Sequence, residues 1–393
     1  MKVLLLSPVR GLDPNSGDVT YTEQLLAAPP PGVSYTTYDT ALREGTLEEI
    51  GTRTWVDAAD GVARVARAAA GAARKAETLA RRSGVLFRER IRAFRVDPSA
   101  FDLIHVHVFH TRFVGRRPPV VMSAAGPLSW VYGDAWGWRP ARLRAAEVAD
   151  AALGAITSAT MCATRLGSAE GFVSFSDYLA QSMTARGLPS DRITVVPNYL
   201  ADACSARRNR QAGAPRSLGF VAKDFDAKGG PAVLEAFQGL RARRPDLVLT
   251  IVGSPPRGRP DVLARQGIRW LPFVERDELL RHVVPELDLF LYPSRFDGMP
   301  YGPMEALSAG VPLVVSDYRA LPELVRGGAG VVAHRGDAEA VRDAADRLLD
   351  PAVWGSASSA ASRLFSERYS AVSQAPRLGA AYARFAARRA SSG

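Results

Sequence analysis

Residues Tyr292-Pro293-Ser294-Arg295-Phe296-Asp297-Gly298-Met299-Pro300-Tyr301-Gly302-Pro303-Met304-Glu305-Ala306-Leu307-Ser308-Ala309-Gly310-Val311-Pro312-Leu313-Val314-Val315-Ser316-Asp317 decide the fold. An apolar strand closes at Tyr292, and a loop rich in Gly and Pro follows. A short helix is predicted from near Gly302-Pro303, because a proline in the first turn gives up an N–H that would have no partner there. The small pair Ala309-Gly310 ends that helix, and Leu313-Val314-Val315 begins another buried strand. Strand, loop, helix and strand in this order form one unit of a parallel sheet. Backbone N–H groups at such a helix start suit a phosphate. Glu305, expected on the first turn, is placed to accept hydrogen bonds from a ribose diol.

The same alternation extends outward in both directions. Strand candidates in the first half are Val3–Leu6, Val33–Tyr38, Leu103–Val106, Val120–Met122, Phe172–Phe175 and Ile193–Val196. In the second half they are Leu218–Val221, Leu247–Val252, Arg269–Leu271, Leu287–Tyr292, Leu313–Val315 and Val331–Ala333. Runs such as LVLTIVG from Leu247 are apolar on both faces, as parallel strands covered by helices on both sides must be. The expected class is therefore α/β, with two Rossmann-like doubly wound domains whose strand ends face a central cleft. A polar stretch without period, ADACSARRNRQAGAPRS, marks the boundary. The division read from it is residues 1–198, residues 199–375, and a C-terminal helix and tail over 376–393. Leu378, Ala381, Tyr382 and Phe385 give that last helix its apolar stripe.

The quoted string resembles the donor-binding signature of family 4 glycosyltransferases of the GT-B fold, P-S-x-x-E-G-F-G-x-x-x-x-E-A-x-x-x-G-x-P-V. The eight-residue offset between the two acids is kept, with Asp297 where the family has Glu. Gly219 to Gly230, GFVAKDFDAKGG, is similar to the family's G-R-x-x-x-x-K-G loop, with Lys223 at the Arg position and Lys228 at the Lys position. Only four of the fifty basic residues are lysines, and two of them fall in this loop.

The resemblance implies an enzyme: a retaining glycosyltransferase using a nucleotide-diphosphate sugar and an acceptor hydroxyl on a glycan, glycolipid or small metabolite. It implies Lys223 and Lys228 on the phosphates, Glu305 on the ribose and Asp297 on a sugar hydroxyl. Gly298, Met299, Pro300, Tyr301 and Gly302 would contact the donor sugar through their backbone. Gly17, in the loop after the first strand, would let the backbone approach the donor phosphate or the acceptor. No metal or other cofactor is implied, since cations and a helix start would neutralise the leaving diphosphate.

One feature departs from the family. Many members carry a His just after the strand Val120–Met122, where this chain has Ala124 and Ala125. His105 and His107 share one face of the preceding strand, and His107 or His110 is a candidate for a role near the donor. The spacing H-x-H lacks an evident third metal ligand. A non-catalytic sugar-nucleotide-binding or scaffold protein of the same fold therefore stays open, as does a sugar-nucleotide epimerase. A phosphorylase would need another lysine for pyridoxal phosphate.

The charge is +10 overall, and residues 61–95 alone carry ten basic and two acidic side chains. Val62, Val65, Ala69, Ala72, Ala76 and Leu79 recur at helical spacing, as do Phe87, Ile91 and Phe94. The segment reads as amphipathic helix with arginine on its wet face, either simply solvated or meeting an anionic membrane. No stacking aromatics interleave the basic residues, so nucleic acid is not expected. The apolar run in MKVLLLSPV is too short for a signal-peptide core, which suggests a cytoplasmic protein, peripheral at most to the inner face of the membrane. Two cysteines, Cys162 and Cys204, make neither a disulfide framework nor a zinc site.

Overall fold

The computed structural model describes residues 1–7, 17–50, 92–107, 111–127, 130, 133, 137–157, 169–204, 214–256, 261 and 264–390. The chain divides into two compact units, Met1–Val196 with Ala375–Gly393, and Pro197–Gln374.

In the first unit the strands are β1 (Lys2–Leu6), β2 (Ser34–Thr37), β3 (Leu47–Glu49), β4 (Arg92–Val96), β5 (Leu103–His107), β6 (Thr111–Phe113), β7 (Val120–Ala124), β8 (Gly171–Ser174) and β9 (Ile193–Val195). Six of them form a parallel sheet in the order β2-β1-β5-β7-β8-β9. Its order reverses between β1 and β5. Leu4, Leu6, Ile104, Val106, Val120, Met122 and Phe172 bury one face against Tyr38, Phe94 and Leu179. The alternate residues Val3, Leu5, Val121 and Val173 are equally buried, so both faces are covered and the strands need no polar side. The helix expected at the C-terminus forms as Ala371–Ala390 and buries Leu378, Ala381, Tyr382 and Phe385. A glycine at 171 is required there: a Cβ would lie 2.4 Å from the Phe385 ring.

The first unit also contains a three-stranded sheet, β3-β4-β6, that the sequence reading did not anticipate. It corrects the helical reading at Phe94, while Phe87 and Ile91 lie outside the described residues. Phe94 lies on β4, opposite Glu49 of β3 and Phe113 of β6. From Phe94 on burial alternates, with Phe94 and Val96 inside and Arg95 outside beside Glu48 at 2.6 Å. The period of two, not the three-and-four spacing, sets this stretch. The remainder of the basic segment, 61–91, lies outside the described residues, as do His110 and Cys162.

In the second unit β10 (Ser217–Ala222), β11 (Val248–Gly253), β12 (Ile268–Leu271), β13 (Leu289–Tyr292), β14 (Leu313–Ser316) and β15 (Gly330–Ala333) form a second parallel sheet. Its order, β12-β11-β10-β13-β14-β15, is the Rossmann order, and the reversal falls between β10 and β13. Leu218, Phe220, Leu249, Ile251, Leu289 and Leu291 pack on Val233, Phe237 and Leu240 of the helix Gly230–Arg243. The buried carboxylate of Asp288 accepts the backbone N–H groups of Arg216 and Ser217 at 2.8 Å each, which ties the start of β10 to β13. All twelve strand candidates of the sequence are strands of the two large sheets. No helix among the described residues is long and apolar enough to cross a membrane.

Candidate functional site

Ligands of doubly wound sheets bind beyond the carboxyl ends of the strands, at the reversal of strand order. In the second unit that place is bounded by the loop after β10 and the loop after β13. Glycine brings the two loops together. Gly229 has φ +88°, and a Cβ on it would lie 2.3 Å from the carbonyl oxygen of Pro293. Gly230 lies against the Phe225 ring and opens the helix Gly230–Arg243. No larger residue would let the Lys228 backbone approach the end of β13 this closely.

Lys228 is therefore held against the second loop. Its Nζ donates to Asp297 Oδ1 at 2.6 Å and to the Phe296 carbonyl at 2.8 Å. These bonds use two of its three N–H donors. Tyr292 Oη and Ser294 Oγ both donate to Asp297 Oδ2, at 2.8 Å and 2.6 Å. Both carboxylate oxygens of Asp297 are thus engaged by the chain itself. Burial and the neighbouring Asp297 carboxylate hold the Tyr292 phenol well above its ordinary range. Lys223, the other cation of the loop, follows β10 with an exposed side chain.

The helix after this loop runs Tyr301–Ser308 with Pro300 at its N-cap, a residue whose side chain cannot cap its start. Gly310, at φ +70°, terminates it in the left-handed region as the sequence implies. Met299 and Tyr301 are buried, while Gly298, Pro300 and Gly302 are partly exposed. Glu305 is the fifth helical residue, on the second turn and not the first as expected, because the helix begins at Tyr301. Its carboxylate is buried and lies 3.0 Å from Arg276 Nη2. Burial raises the Glu305 carboxyl above its ordinary range, and Arg276 partly opposes this.

Three further residues of this site escaped the sequence reading. Asn198, buried, donates from Nδ2 to the Met299 carbonyl at 3.1 Å, while its buried Oδ1 makes no hydrogen bond among the described residues. Arg276 partners Glu305 from the start of the short helix Arg276–Glu278. Cys204 donates its N–H to Ser308 Oγ at 3.0 Å, and burial pushes its thiol up to about 11. Asn198 lies two positions after the strand candidate Ile193–Val196, at the end of the first domain as divided from sequence. Nothing in the sequence around Arg276 or Cys204 signals chemistry.

In the first unit Gly17 opens the helix Gly17–Ala27, and a Cβ there would meet no atom within 4 Å. Ala124 ends β7 and is buried. His107 is buried at the end of β5 and bonded to Ser123 and Asp18.

The architecture of two such doubly wound units is the GT-B fold. Residues 215–351 match the family "Glycosyl transferases group 1". The lipopolysaccharide core biosynthesis mannosyltransferase LpsB of Rhizobium meliloti is 42% identical over 67 residues, 16% of this chain and 19% of its own length. The chain thus matches about a fifth of that curated relative's length. Sucrose-phosphate synthase of Thermosynechococcus elongatus superposes with TM-score 0.60 at 16% identity, over 99% of this chain and 100% of its own. The Anabaena protein HepE, solved with UDP and glucose, superposes with TM-score 0.58 at 14% identity, over 97% of this chain and 98% of its own.

Proposed function

We propose that the protein is a retaining glycosyltransferase that moves a hexose from a nucleoside-diphosphate donor to an acceptor hydroxyl without a metal ion. The observation that carries this reading is the Lys228–Asp297 lock, which closes two loops at the strand-order reversal of the second unit. In this reading the Lys228 ammonium, with a third N–H beyond its bonds to Asp297 and Phe296, meets the diphosphate. A fixed cation that meets charge growing on a leaving group lowers the barrier without reorganisation.

Lys223 and Lys228 serve the phosphates, and the start of the helix Tyr301–Ser308 adds its positive end. Glu305 takes the ribose hydroxyls, and the Gly298–Gly302 backbone faces the sugar. Asp297 shapes this loop as much as it binds. The bond from the anomeric carbon to the phosphate breaks while the acceptor oxygen bonds on the same face, and the acceptor proton passes to the departing phosphate. Such a reaction needs positioning more than an enzyme nucleophile. The UDP and glucose of the HepE structure support a UDP-sugar as first choice, and the LpsB name supports a glycan or glycolipid acceptor. A cytoplasmic location, with residues 61–95 meeting anionic lipid, belongs to the same proposal.

A second reading, a non-catalytic sugar-nucleotide binder, is favoured by Ala124 at the end of β7, which offers no polar side chain. A thermal-shift panel of nucleoside diphosphates and their sugars, followed by donor-consumption assays in EDTA, tests both. At a ligand concentration of 100 Kd the native state gains about 2.7 kcal/mol. No shift with any nucleotide would overturn both readings. Binding without turnover with a broad acceptor panel would leave the second.

A further inference from the structure

A chain of five hydrogen bonds crosses the first unit. It runs from Tyr35 Oη to Tyr382 Oη at 2.9 Å, and from Tyr382 Oη to His105 Nδ1 at 2.6 Å. His105 Nε2 then meets Ser123 Oγ at 2.8 Å, Ser123 Oγ meets His107 Nδ1 at 2.9 Å, and His107 Nε2 meets Asp18 Oδ1 at 3.2 Å. His105, Ser123 and His107 are all but fully buried, whereas the Asp18 side chain is 34% exposed. A carboxylate only accepts, so with both imidazoles neutral the whole chain orders in one sense. Tyr35 donates to Tyr382, Tyr382 to His105, His105 to Ser123, Ser123 to His107, and His107 to Asp18.

The place where this chain surfaces is specific. Asp18 follows β1, and His107 is the last residue of β5. Those two strands flank the reversal of strand order in the first sheet, the position at which such sheets take ligands. One oxygen of Asp18 is used by His107, and Oδ2 makes no hydrogen bond among the described residues. A carboxylate that merely complements a helix start needs no buried histidine behind it. Here a fully satisfied polar network fixes one oxygen and aims the other outward, which is how a binding group is preorganised.

We propose that Asp18 binds a hydroxyl of a pyranoside in the first unit, and that His107, Ser123 and His105 are its positioning residues. The His107 N–H and the helix start hold the carboxylate ionised and fix its direction. What they leave is one directional acceptor oxygen that a pyranoside hydroxyl can meet, whereas a small ammonium gains there only a single part-exposed ion pair, which is worth little. If the reading under "Proposed function" holds, this hydroxyl belongs to the sugar acceptor. The assignment of Asp18 to the acceptor rests on that reading, but hydroxyl binding itself does not.

The test uses the whole chain without nucleotide. Saturation-transfer NMR is recorded with methyl α-mannoside, methyl α-glucoside and methyl α-galactoside, and separately with ethanolamine. The wild type is expected to bind at least one glycoside and not ethanolamine. Asp18→Ala and the isosteric Asp18→Asn are expected to lose affinity at least tenfold, while the melting shift with UDP stays that of the wild type. The Asn variant guards against failure of the Ala variant to fold. No glycoside signal from the wild type, equal signals from the variants, or ethanolamine in place of the glycosides would each overturn the proposal. Glycoside binding through Asp18 with no response to UDP would sink the donor reading and leave this one standing.

Discussion

Lys228 and Asp297 are 69 positions apart in sequence, and their charged groups meet at 2.6 Å. Neither side chain is fully buried, at 18% and 14% exposure, but the pair is held by more than charge. Ser294 and Tyr292 grip the other oxygen of Asp297, and the Phe296 carbonyl takes a second N–H of Lys228. A pair with this many neutral supports keeps its geometry, unlike an isolated surface ion pair.

Removing Asp297 should therefore do two things. Asp297→Ala leaves Lys228, Tyr292 and Ser294 with unanswered donors and is expected to destabilise the protein by about 3 kcal/mol. It should also weaken UDP binding, since the cation is no longer aimed. Asp297→Glu, which restores the residue common in the signature, should not behave as wild type. Its extra methylene has to displace Ser294 or Tyr292. Denaturant unfolding and UDP calorimetry on the two variants check this. An Asp297→Ala protein as stable as wild type would remove the lock from the account.

Gly229→Ala tests the approach of the two loops. The residue sits at φ +88°, and its Cβ would be 2.3 Å from a backbone oxygen that cannot rotate away. Left-handed backbone alone costs about 1–2 kcal/mol for an L-residue. The clash adds to it, and the Lys228 loop must back away from Pro293. The expected result is a lower melting temperature together with a weaker UDP response. Lost stability with unchanged UDP affinity would show that the loop contact serves folding only.

Glu305 gives a prediction with a sign. Burial raises its carboxyl above the ordinary value of 4.5, with Arg276 pulling the other way. Between the ordinary and the raised value the folded protein holds a proton that the unfolded chain has lost. Stability contributed by this group is therefore complete at low pH and falls as pH rises through that window. Glu305→Gln should be more stable than wild type at pH 7 and no different at pH 3.5, while binding UDP more weakly. Identical stability differences at both pH values would contradict the burial argument.

The fold was legible because parallel strands covered on both faces must be apolar throughout, and each stands out as a short β-branched run. The Ala309-Gly310 stop and the Lys-Gly-Gly loop were legible for a similar local reason. What stayed hidden depends on contacts between distant segments. Arg276 reaches Glu305 from 29 positions away, and Asn198 reaches the Met299 carbonyl from 101. Phe94 misled because three-and-four spacing in a short stretch fits a helix as well as a buried strand, and only pairing with Glu49 and Phe113 decides. His105 and His107 could be placed on one face from sequence. The chain through Ser123 to Tyr382 could not, since it joins β5, β7 and the C-terminal helix.

The buried end of that chain sets the last prediction. Burial, helped by the neighbouring His107, lowers His105 from 6.5 to about 3. Between those values the unfolded chain carries a proton on this imidazole and the folded chain does not. Stability must then rise with pH across the window, and fall on acidification by up to about 1.4 kcal/mol for each pH unit. Asp18, whose burial opposes ionisation but is outweighed by the hydrogen bond from His107, is held below 3.8 and adds a loss of the same sign in stronger acid. His105→Gln removes the titrating group while keeping polar atoms beside Ser123 and Tyr382. It should be less stable than wild type at pH 7, where a well-ordered network is disturbed, yet its urea midpoint should change less between pH 6.5 and pH 4. The flatter profile is the signature, because a purely structural role for His105 would lower stability equally at every pH. Parallel profiles for the two proteins would mean that the acid sensitivity of the first unit arises elsewhere.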